Sequence, residues 1–286
     1  MRIEVISLVL ALTAAISPAI CPAGGQTGAS RIALASLTDP RGRPLVDVSA
    51  DDFVIQEAGA AREILSVRPA DYPIFVLLDT GIEARADFAA MQKAAAHFIE
   101  RIGQRPMAIG TFGGTPTIVA TFEDERQAVL SKLAAVPAET REGSLLLQGA
   151  SLAGRTIQAT GTLFSAVVIL SATAADASRD SAEAMIAPIV DSNAILHVIG
   201  HRQGQSPGGG VRSNPSLRAL AEQSGGEFTV IYSAASYQAA LDRLADRLTS
   251  EMLIEYLVPV GSKPSDVKVG VRIVGARVRG LGVAPR

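Results

Sequence analysis

The sequence contains no tryptophan, one cysteine and few charged residues, and each shortage restricts the class of protein. With 4 tyrosines and 8 phenylalanines among 286 residues, there is little aromatic surface on which nucleic-acid bases could stack. The formal net charge of -2 supplies no positive field that would attract a phosphate backbone. We therefore expect no nucleic-acid partner.

The balance of apolar and charged residues favours a folded chain. Charged residues make up 19% of the sequence and hydrophobic residues 48%, which is too apolar a composition for a disordered segment. A chain of this length buries a sizeable core. We predict a globular protein.

The N-terminus has the pattern of an export signal. Arg2 precedes an apolar run over Val5–Ala15, and prolines and small residues follow. The run is shorter than the roughly 20 apolar residues of a transmembrane helix, so a retained membrane anchor is the less favoured alternative. We predict a signal peptide over residues 1–23 and no transmembrane segment after its cleavage. The mature protein is then periplasmic, held in the cell envelope or secreted.

The single cysteine, Cys21, lies at the end of this apolar segment. A lipid-modified cysteine is one alternative, but Ile20 stands where lipoprotein signals place a small residue. We favour cleavage near Ala23, with Cys21 and Ala23 at the two small-residue positions of the signal. The mature chain would then contain no thiol, which suits an oxidising compartment.

Two β-rich arms flank a middle segment of different pattern. Residues 31–70 show short alternating runs separated by turn-forming residues, and the same pattern returns over 251–286. Each arm alone offers too few strands to bury a face. We predict a small β subdomain in which the C-terminal arm pairs with the N-terminal arm.

The middle segment, residues 72–250, alternates apolar runs with helical patterns. PIFVLLDT, FSAVVILSA, AILHVIGH and GEFTVIY are strand-like, and apolar residues at three- and four-residue spacing mark the helices that follow. PMAIGTF and TPTIVATF indicate a hairpin around Gly113-Gly114. This alternation predicts an α/β fold with a mostly parallel sheet and helices on both of its faces.

Three features of this segment together resemble the von Willebrand factor A family. FVLLDT leads into a helix, the turn Glu142-Gly143-Ser144 opens another, and LRALAEQSGGEFTVIYSAASYQAALDRLADRL precedes a strand that begins LIEY. The stretch GRPLVDVSADDFVIQEAGAAREI is also similar to the β extension of exported bacterial relatives. The resemblance covers most of the chain after Ser30. It implies a Rossmann-like, doubly wound, mostly parallel sheet over residues 72–250.

The resemblance also implies a position for a divalent cation, the metal-ion-dependent adhesion site of this family. Its pattern is Asp-x-Ser-x-Ser after the first strand, a Thr in a second loop and an Asp after the fourth strand. Hydroxyl and carboxylate oxygens suit a hard cation such as Mg²⁺. In this sequence the five positions hold Asp79, Gly81, Glu83, Ser144 and Ala172.

Two of these positions cannot supply a side-chain ligand, because Gly81 and Ala172 have no side-chain oxygen. We therefore expect a vestigial, degenerate site with no metal and no cofactor. In this interpretation Asp79 braces its loop and Ser144 is the N-cap of the following helix. A retained Mg²⁺ site is the less favoured alternative, because Mg²⁺ needs only one or two protein carboxylates.

His197 and His201 have the spacing of a zinc pair on a helix, with Asp176 or Asp191 as a further ligand. The sequence around them indicates a strand instead. We predict that His197 packs on one face of the sheet and that His201 lies past the end of the strand.

Other features of the sequence have similarly ordinary interpretations. Gly149-Ala150-Ser151-Leu152-Ala153-Gly154 lacks the spacing of a nucleophile elbow and indicates close helix packing. The glycine-rich stretch 204–210 indicates a mobile loop rather than a phosphate cradle. Arg277 and Arg279 alternate around Val278 as on a solvated strand face.

The sequence predicts an exported, non-enzymatic, adhesion-type module. Its partner would be a protein or peptide, bound at the edge with the vestigial metal positions or through the β arms. The main alternative is a metal-dependent adhesin or an envelope enzyme that uses Asp79, Glu83 and Ser144. A structural envelope subunit without a soluble partner is the third.

Overall fold

The structure is a computed structural model that describes residues 28–138, 143–173, 176–177, 181–201, 215–263 and 265–285. The proposed signal peptide with Cys21, residue Glu142, the glycine-rich stretch 204–210 and Arg286 lie outside these ranges. None of the helices in the described ranges is long and apolar enough to cross a bilayer.

Within the described residues, the central sheet has six strands: β5 (Ile74–Leu78), β6 (Met107–Thr111), β7 (Thr117–Ala120), β8 (Ala166–Ser171), β9 (Ile195–His201) and β10 (Glu227–Ile231). Their spatial order is β10-β9-β8-β5-β6-β7, and every neighbouring pair is parallel except β6 and β7, which form the predicted antiparallel hairpin.

In the part of the chain that the structure describes, six α-helices cover the two faces of this sheet: α1 (Phe88–Arg101), α2 (Arg126–Ala134), α3 (Leu146–Gln158), α4 (Ala182–Asp191), α5 (Pro215–Gln223) and α6 (Ser236–Thr249). One face packs against the apolar sides of α1, α2 and α6, and the other against α3, α4 and α5. All five residues of β5 are buried, as expected of a parallel strand covered on both faces.

Small residues allow α3 to approach its neighbours closely. A Cβ atom at Gly149 would lie 2.7 Å from the Cβ of Phe112, and one at Gly154 would lie 2.5 Å from the carbonyl carbon of Pro188 in α4. Distances below 3 Å are steric overlaps, so both positions require glycine in this packing. The interpretation of this stretch as close helix packing is confirmed.

The strands of the two arms form two further sheets, of order β13-β1-β11-β4 and β12-β2-β3. Strand β1 pairs with β11 and β13, and β12 pairs with β2, so each sheet combines strands from both ends of the chain. The strands are β1 (Gly28–Thr38), β2 (Phe53–Glu57), β3 (Ala60–Arg62), β4 (Ile64–Pro69), β11 (Glu251–Pro259), β12 (Val267–Val271) and β13 (Arg277–Pro285).

The four-stranded sheet joins the outer β layer to the α/β body. On β1, Ile32 and Leu34 belong to the core beneath the central sheet, whereas Ala33, Ala35 and Leu37 belong to the core between the two outer sheets. This strand is therefore buried on both faces. The strand β3, only three residues long, was not predicted from the sequence.

Candidate binding edge at the ends of the parallel strands

Asp79 lies directly after β5, the strand that runs between β6 and β8. Its backbone N–H donates to the carbonyl oxygen of Leu170 in β8 at 2.9 Å, which extends the parallel ladder by one residue. The side chain is fully buried. Loops at the carboxyl ends of parallel strands converge on one edge of a sheet, and Asp79 is at the centre of that edge.

The Asp79 carboxylate accepts four hydrogen bonds from the protein. Oδ1 accepts from the backbone N–H of Gly81 at 3.0 Å and from the hydroxyl of Ser144. Oδ2 accepts from the hydroxyl of Ser171 at 3.0 Å and from the N–H of Ala172 at 3.1 Å. A carboxylate has about four lone-pair directions, so the protein itself satisfies this one.

Burial raises the pKa of the Asp79 carboxyl, and the four hydrogen bonds oppose that rise. Besides burial, the groups with the largest effect on it are the hydroxyls of Ser144 and Ser171 and the backbone amides of Gly81 and Ala172. Fixed dipoles from three loops therefore compensate its charge.

Gly81 and Ser144 compete for the same space. A Cβ atom at Gly81 would stand 2.4 Å from Oγ of Ser144 and 3.2 Å from Oδ1 of Asp79. The Ser144 hydroxyl thus fills the position that a serine side chain at residue 81 would need. The Ser144 hydroxyl can hold this position because residue 81 has no side chain.

The interpretation of Ser144 as a helix N-cap is wrong. Leu145 occupies the N-cap position of α3, and its apolar side chain makes no capping hydrogen bond. The carboxylate of Asp176 accepts the N–H of Leu147 at 3.1 Å, which satisfies one of the free amides of the first turn. The Asp79 carboxylate accepts the N–H of Gly81 within its own loop, a contact of the kind expected of a loop brace.

The remaining two positions of the family pattern differ in their surroundings. Glu83 is exposed in a short 3-10 turn, Ile82–Ala84, and its Oε1 would lie 4.0 Å from a Cβ atom at Gly143. Ala172 is fully buried and contributes its backbone amide to Asp79. The structure thus brings Asp79, Gly81, Ser144 and Ala172 together and places Glu83 at the surface beside them.

Gly113 contacts the backbones of two other loops at this edge. Its N–H donates to the hydroxyl of Thr80 at 3.0 Å, and a Cβ atom there would lie 2.2 Å from the carbonyl carbon of Thr80. Gly113 also forms an isolated antiparallel bridge with Ser144. The loops after β5 and β6 and the loop before α3 therefore pack backbone against backbone.

A second polar cluster lies beside this one, around His201. The Nδ1 atom of His201 is 2.5 Å from Oδ2 of Asp87, the residue that precedes α1. The hydroxyl of Tyr237 donates to the carbonyl oxygen of Ser171 at 2.7 Å, and its ring stands edge-on to the His201 ring. These contacts tie α1 and α6 to the ends of β8 and β9.

The placement of the two histidines corrects one expectation and confirms another. His201 is the last residue of β9, not a residue past its end, and it shares a face with His197. Four residues along a strand separate their Cα atoms by roughly 13 Å, too far for one ion. His197 is packed in the sheet as expected, and its burial lowers its pKa to about 3.

An open pocket of about 340 Å³ adjoins the Asp79 loop. Its polar lining includes the hydroxyl-bearing residues Thr80, Thr111 and Thr117, and its apolar lining includes Val119 and Val136. Ile82, two residues further along the same loop as Thr80, is 49% exposed. This edge therefore offers an apolar projection and a hydroxyl-lined recess.

Sequence reasoning missed three contributors to this edge, Ser171, Asp87 and Tyr237. Ser171 directly precedes Ala172, the last position of the family pattern. Its hydroxyl next to that position was the sequence feature from which it could have been identified. Asp87 and His201 are 114 residues apart, and Tyr237 and Ser171 are 66 apart. Neither contact can be predicted from local sequence spacing.

The fold is that of a von Willebrand factor A-like domain, and solved structures show the same fold. A von Willebrand factor type A protein from Catenulispora acidiphila superposes with a TM-score of 0.53 and 11% identity, over 91% of this chain and 74% of that one. Proximal thread matrix protein 1 from the mussel byssus, with a zinc-occupied metal-ion-dependent adhesion site motif, gives 0.54 and 13%, over 70% and 48%.

No protein-family model and no curated protein matches the sequence. The predicted fold class, a Rossmann-like α/β domain with a mostly parallel sheet, is confirmed. At these identities the likeness concerns the fold alone.

Proposed function

We propose that this protein is an exported, non-enzymatic interaction module that binds a protein or peptide partner at the Asp79 edge without a metal ion. One observation carries the proposal. The carboxylate that would anchor a cation is already saturated by Gly81, Ser144, Ser171 and Ala172.

Binding of a cation to Asp79 would first displace at least one of these donors. A buried donor that loses its partner costs about 1–3 kcal/mol, and a cation held by Asp79 and Ser144 alone would keep most of its water. The gain from so few ligands is small against that cost. We therefore assign the polar cluster a bracing role that keeps three loops in a fixed arrangement.

The surface that these loops present suits a protein or peptide. Ile82 projects into solvent. Its burial by a partner would favour binding, because it removes apolar area from water. Thr117 is exposed nearby, and its hydroxyl, which is hydrogen-bonded to that of Thr111, keeps at least one lone pair for a donor of the partner. An edge braced from inside loses little entropy on binding.

We assign the Asp87–His201 pair a structural role as well. It connects the start of α1 with the end of β9, and both side chains are largely buried. This arrangement supports a rigid binding edge rather than catalysis.

The second candidate function is a metal-dependent adhesin or an envelope enzyme that uses Asp79, Glu83 and Ser144. The proximity of an aspartate oxygen and a serine hydroxyl favours it, as does the position of Glu83 on the same loop. The mussel protein with a zinc-occupied motif has the same fold.

A binding experiment separates these candidates. Immobilised protein is incubated with envelope extract of its host, with and without EDTA, and the retained proteins are compared among the unmodified chain, Ile82→Asp and Val274→Asp. Val274 is 99% exposed in the turn before β13, so it is a matched control for a new surface charge.

The proposal expects the same retained proteins with and without EDTA, lost in Ile82→Asp and kept in Val274→Asp. Loss in EDTA would favour the metal-dependent adhesin. Retention by Ile82→Asp together with loss in Val274→Asp, a residue of the C-terminal arm, would move the binding surface away from this edge and towards the β arms.

A further inference from the structure

His197 is a buried histidine whose ring nitrogens have no hydrogen-bond partner within the described part of the chain. It is 2% exposed, and both Nδ1 and Nε2 are unsatisfied. A neutral imidazole carries one N–H donor and one acceptor, and leaving them unpaired in the interior costs free energy. A buried polar side chain of this kind indicates an additional group that binds there.

The ring lines a cavity of about 90 Å³ between the central sheet and α6. Strand β10 is the edge of that sheet, and Glu227 and Thr229 on it lie in register with His197 and Ile199. The cavity is large enough for a small ion with water. It lies beside the early residues of β9 and β10, whereas Asp79 lies at the carboxyl ends of the strands.

The lining of the cavity carries a net positive charge. Arg243 and Arg247 stand one turn apart on α6, and Glu227 is the single carboxylate. Arg247 already donates to Glu227 at 2.9 Å, and 61% of the Glu227 side chain is exposed. His197 is neutral, because burial and the nearby charge of Arg247 hold its pKa at about 3.

We propose that this cavity binds a small oxyanion, a phosphate or a carboxylate, through the His197 ring N–H, the Thr229 hydroxyl and the guanidinium groups of Arg243 and Arg247. The arginines supply charge and directional donors, which suit planar or tetrahedral oxyanions. His197 supplies the innermost donor. The ligand would satisfy the unpaired ring that the fold otherwise leaves buried.

A metal ion fits this cavity less well. His197 and Glu227 are its two metal-ligating side chains, and two guanidinium groups oppose a cation. Within the described ranges, no group of three His, Cys, Asp or Glu side chains is placed to hold a metal ion. The choice of an anion therefore follows from the charge of the lining.

The test uses the three histidines of the chain as reporters. The full protein is labelled with ¹⁵N in its histidine rings and titrated at pH 7 with sodium phosphate, sulfate or acetate, against sodium chloride at equal ionic strength. His97→Gln and His201→Gln each remove one ring signal, and the remaining signal belongs to His197.

We expect a saturable shift of the His197 ring signal with at least one oxyanion and none with chloride. Arg243→Gln should weaken the affinity at least about tenfold, because it removes a charged donor. Arg277→Gln, an exposed arginine on β13, is the matched control and should leave the affinity unchanged. Saturation by phosphate or sulfate indicates a phosphate-type ligand, and saturation by acetate indicates a carboxylate.

Thr229→Val provides a second variant in which the arginines remain, and it should also weaken binding. A parallel titration with ZnCl₂ tests for a cation. No saturable shift with any oxyanion, equal affinity in Arg243→Gln and the control, or saturation by Zn²⁺ in place of the oxyanions would each overturn the proposal.

Discussion

The hydroxyl of Ser144 donates a hydrogen bond to Oδ1 of Asp79 across 65 residues of chain. This contact occupies the space next to Gly81 where a side chain would otherwise stand. The Ser144 hydroxyl therefore occupies a carboxylate oxygen of Asp79 that a metal ion would need as a ligand.

Gly81→Ser should destabilise the protein by roughly 1–3 kcal/mol, the usual cost of inserting atoms into a filled site. The backbone of Gly81, with φ -66° and ψ 169°, accommodates serine, so the cost is steric. In the Ser144→Ala background the same change should cost about 1 kcal/mol less, because the hydroxyl is gone. Urea unfolding of the four proteins measures the coupling, and purely additive free energies would show that the two side chains do not compete.

Asp79→Ala should reduce the free energy of unfolding by roughly 3–5 kcal/mol, more than the loss of a single helix cap, because four buried donors lose their acceptor together. Glu83→Ala, an exposed carboxylate on the same loop, should change it by less than about 0.5 kcal/mol. Urea unfolding measures both. A small effect of Asp79→Ala would mean that water or a rearranged loop replaces the carboxylate.

Titration calorimetry with Mg²⁺ or Mn²⁺ should show no binding to the unmodified protein, since its candidate ligand is internally satisfied. Thermal unfolding should likewise be insensitive to EDTA, because a metal that binds only the native state would raise the melting temperature. Micromolar binding that Asp79→Ala abolishes would establish the metal-dependent adhesin instead.

Glu251 should make stability fall as the pH rises towards neutral. Burial raises the pKa of its carboxyl from 4.5 to about 7, despite hydrogen bonding by Tyr72 and the charge of Arg105. The folded state holds the proton more tightly than the unfolded state, so the contribution is complete below pH 4.5 and is lost as the pH rises through 7. The difference amounts to roughly 3 kcal/mol.

Glu251→Gln, which stays neutral, should remove this pH dependence and be relatively more stable at pH 8 than at pH 4. Urea unfolding of both proteins across this range measures it. Parallel stability curves for the two proteins would show that Glu251 does not titrate in the expected window.

A chain that ends at Lys263 lacks β12 and β13, which pair with β2 and β1 respectively. We expect the N-terminal strands to lose protection in the truncated protein, since their backbone groups lose hydrogen-bond partners and the core between the outer sheets opens. Hydrogen exchange of residues 31–69 measures this effect. Equal protection in both proteins would show that the N-terminal arm folds without the C-terminal one.

Export predicts that the protein recovered from its host begins near residue 24, outside the cytoplasm. N-terminal sequencing of the native protein measures both points when combined with cell fractionation. An intact Met1 in a cytoplasmic fraction would refute export and would place the partner inside the cell.

Much of the fold could be predicted because it depends on periodic local patterns. The apolar runs of β5, β8 and β9 and the helical spacing in α1 and α6 are visible in the sequence, and the structure has these elements at the expected places. The short strand β3 was missed, since three residues carry too little pattern to identify a strand.

The candidate edge was predictable in position but not in chemistry. The sequence by itself determined that Asp79 follows a buried strand and that Gly81 and Ala172 offer no side-chain oxygen, because residue identity and strand periodicity are local properties. Only the tertiary structure decided that Ser144 turns towards Asp79 instead of capping α3, that Ser171 completes the set of donors, and that His201 meets Asp87. Those contacts join residues 65 to 114 positions apart, and their geometry depends on how three loops pack against one another at the end of the sheet.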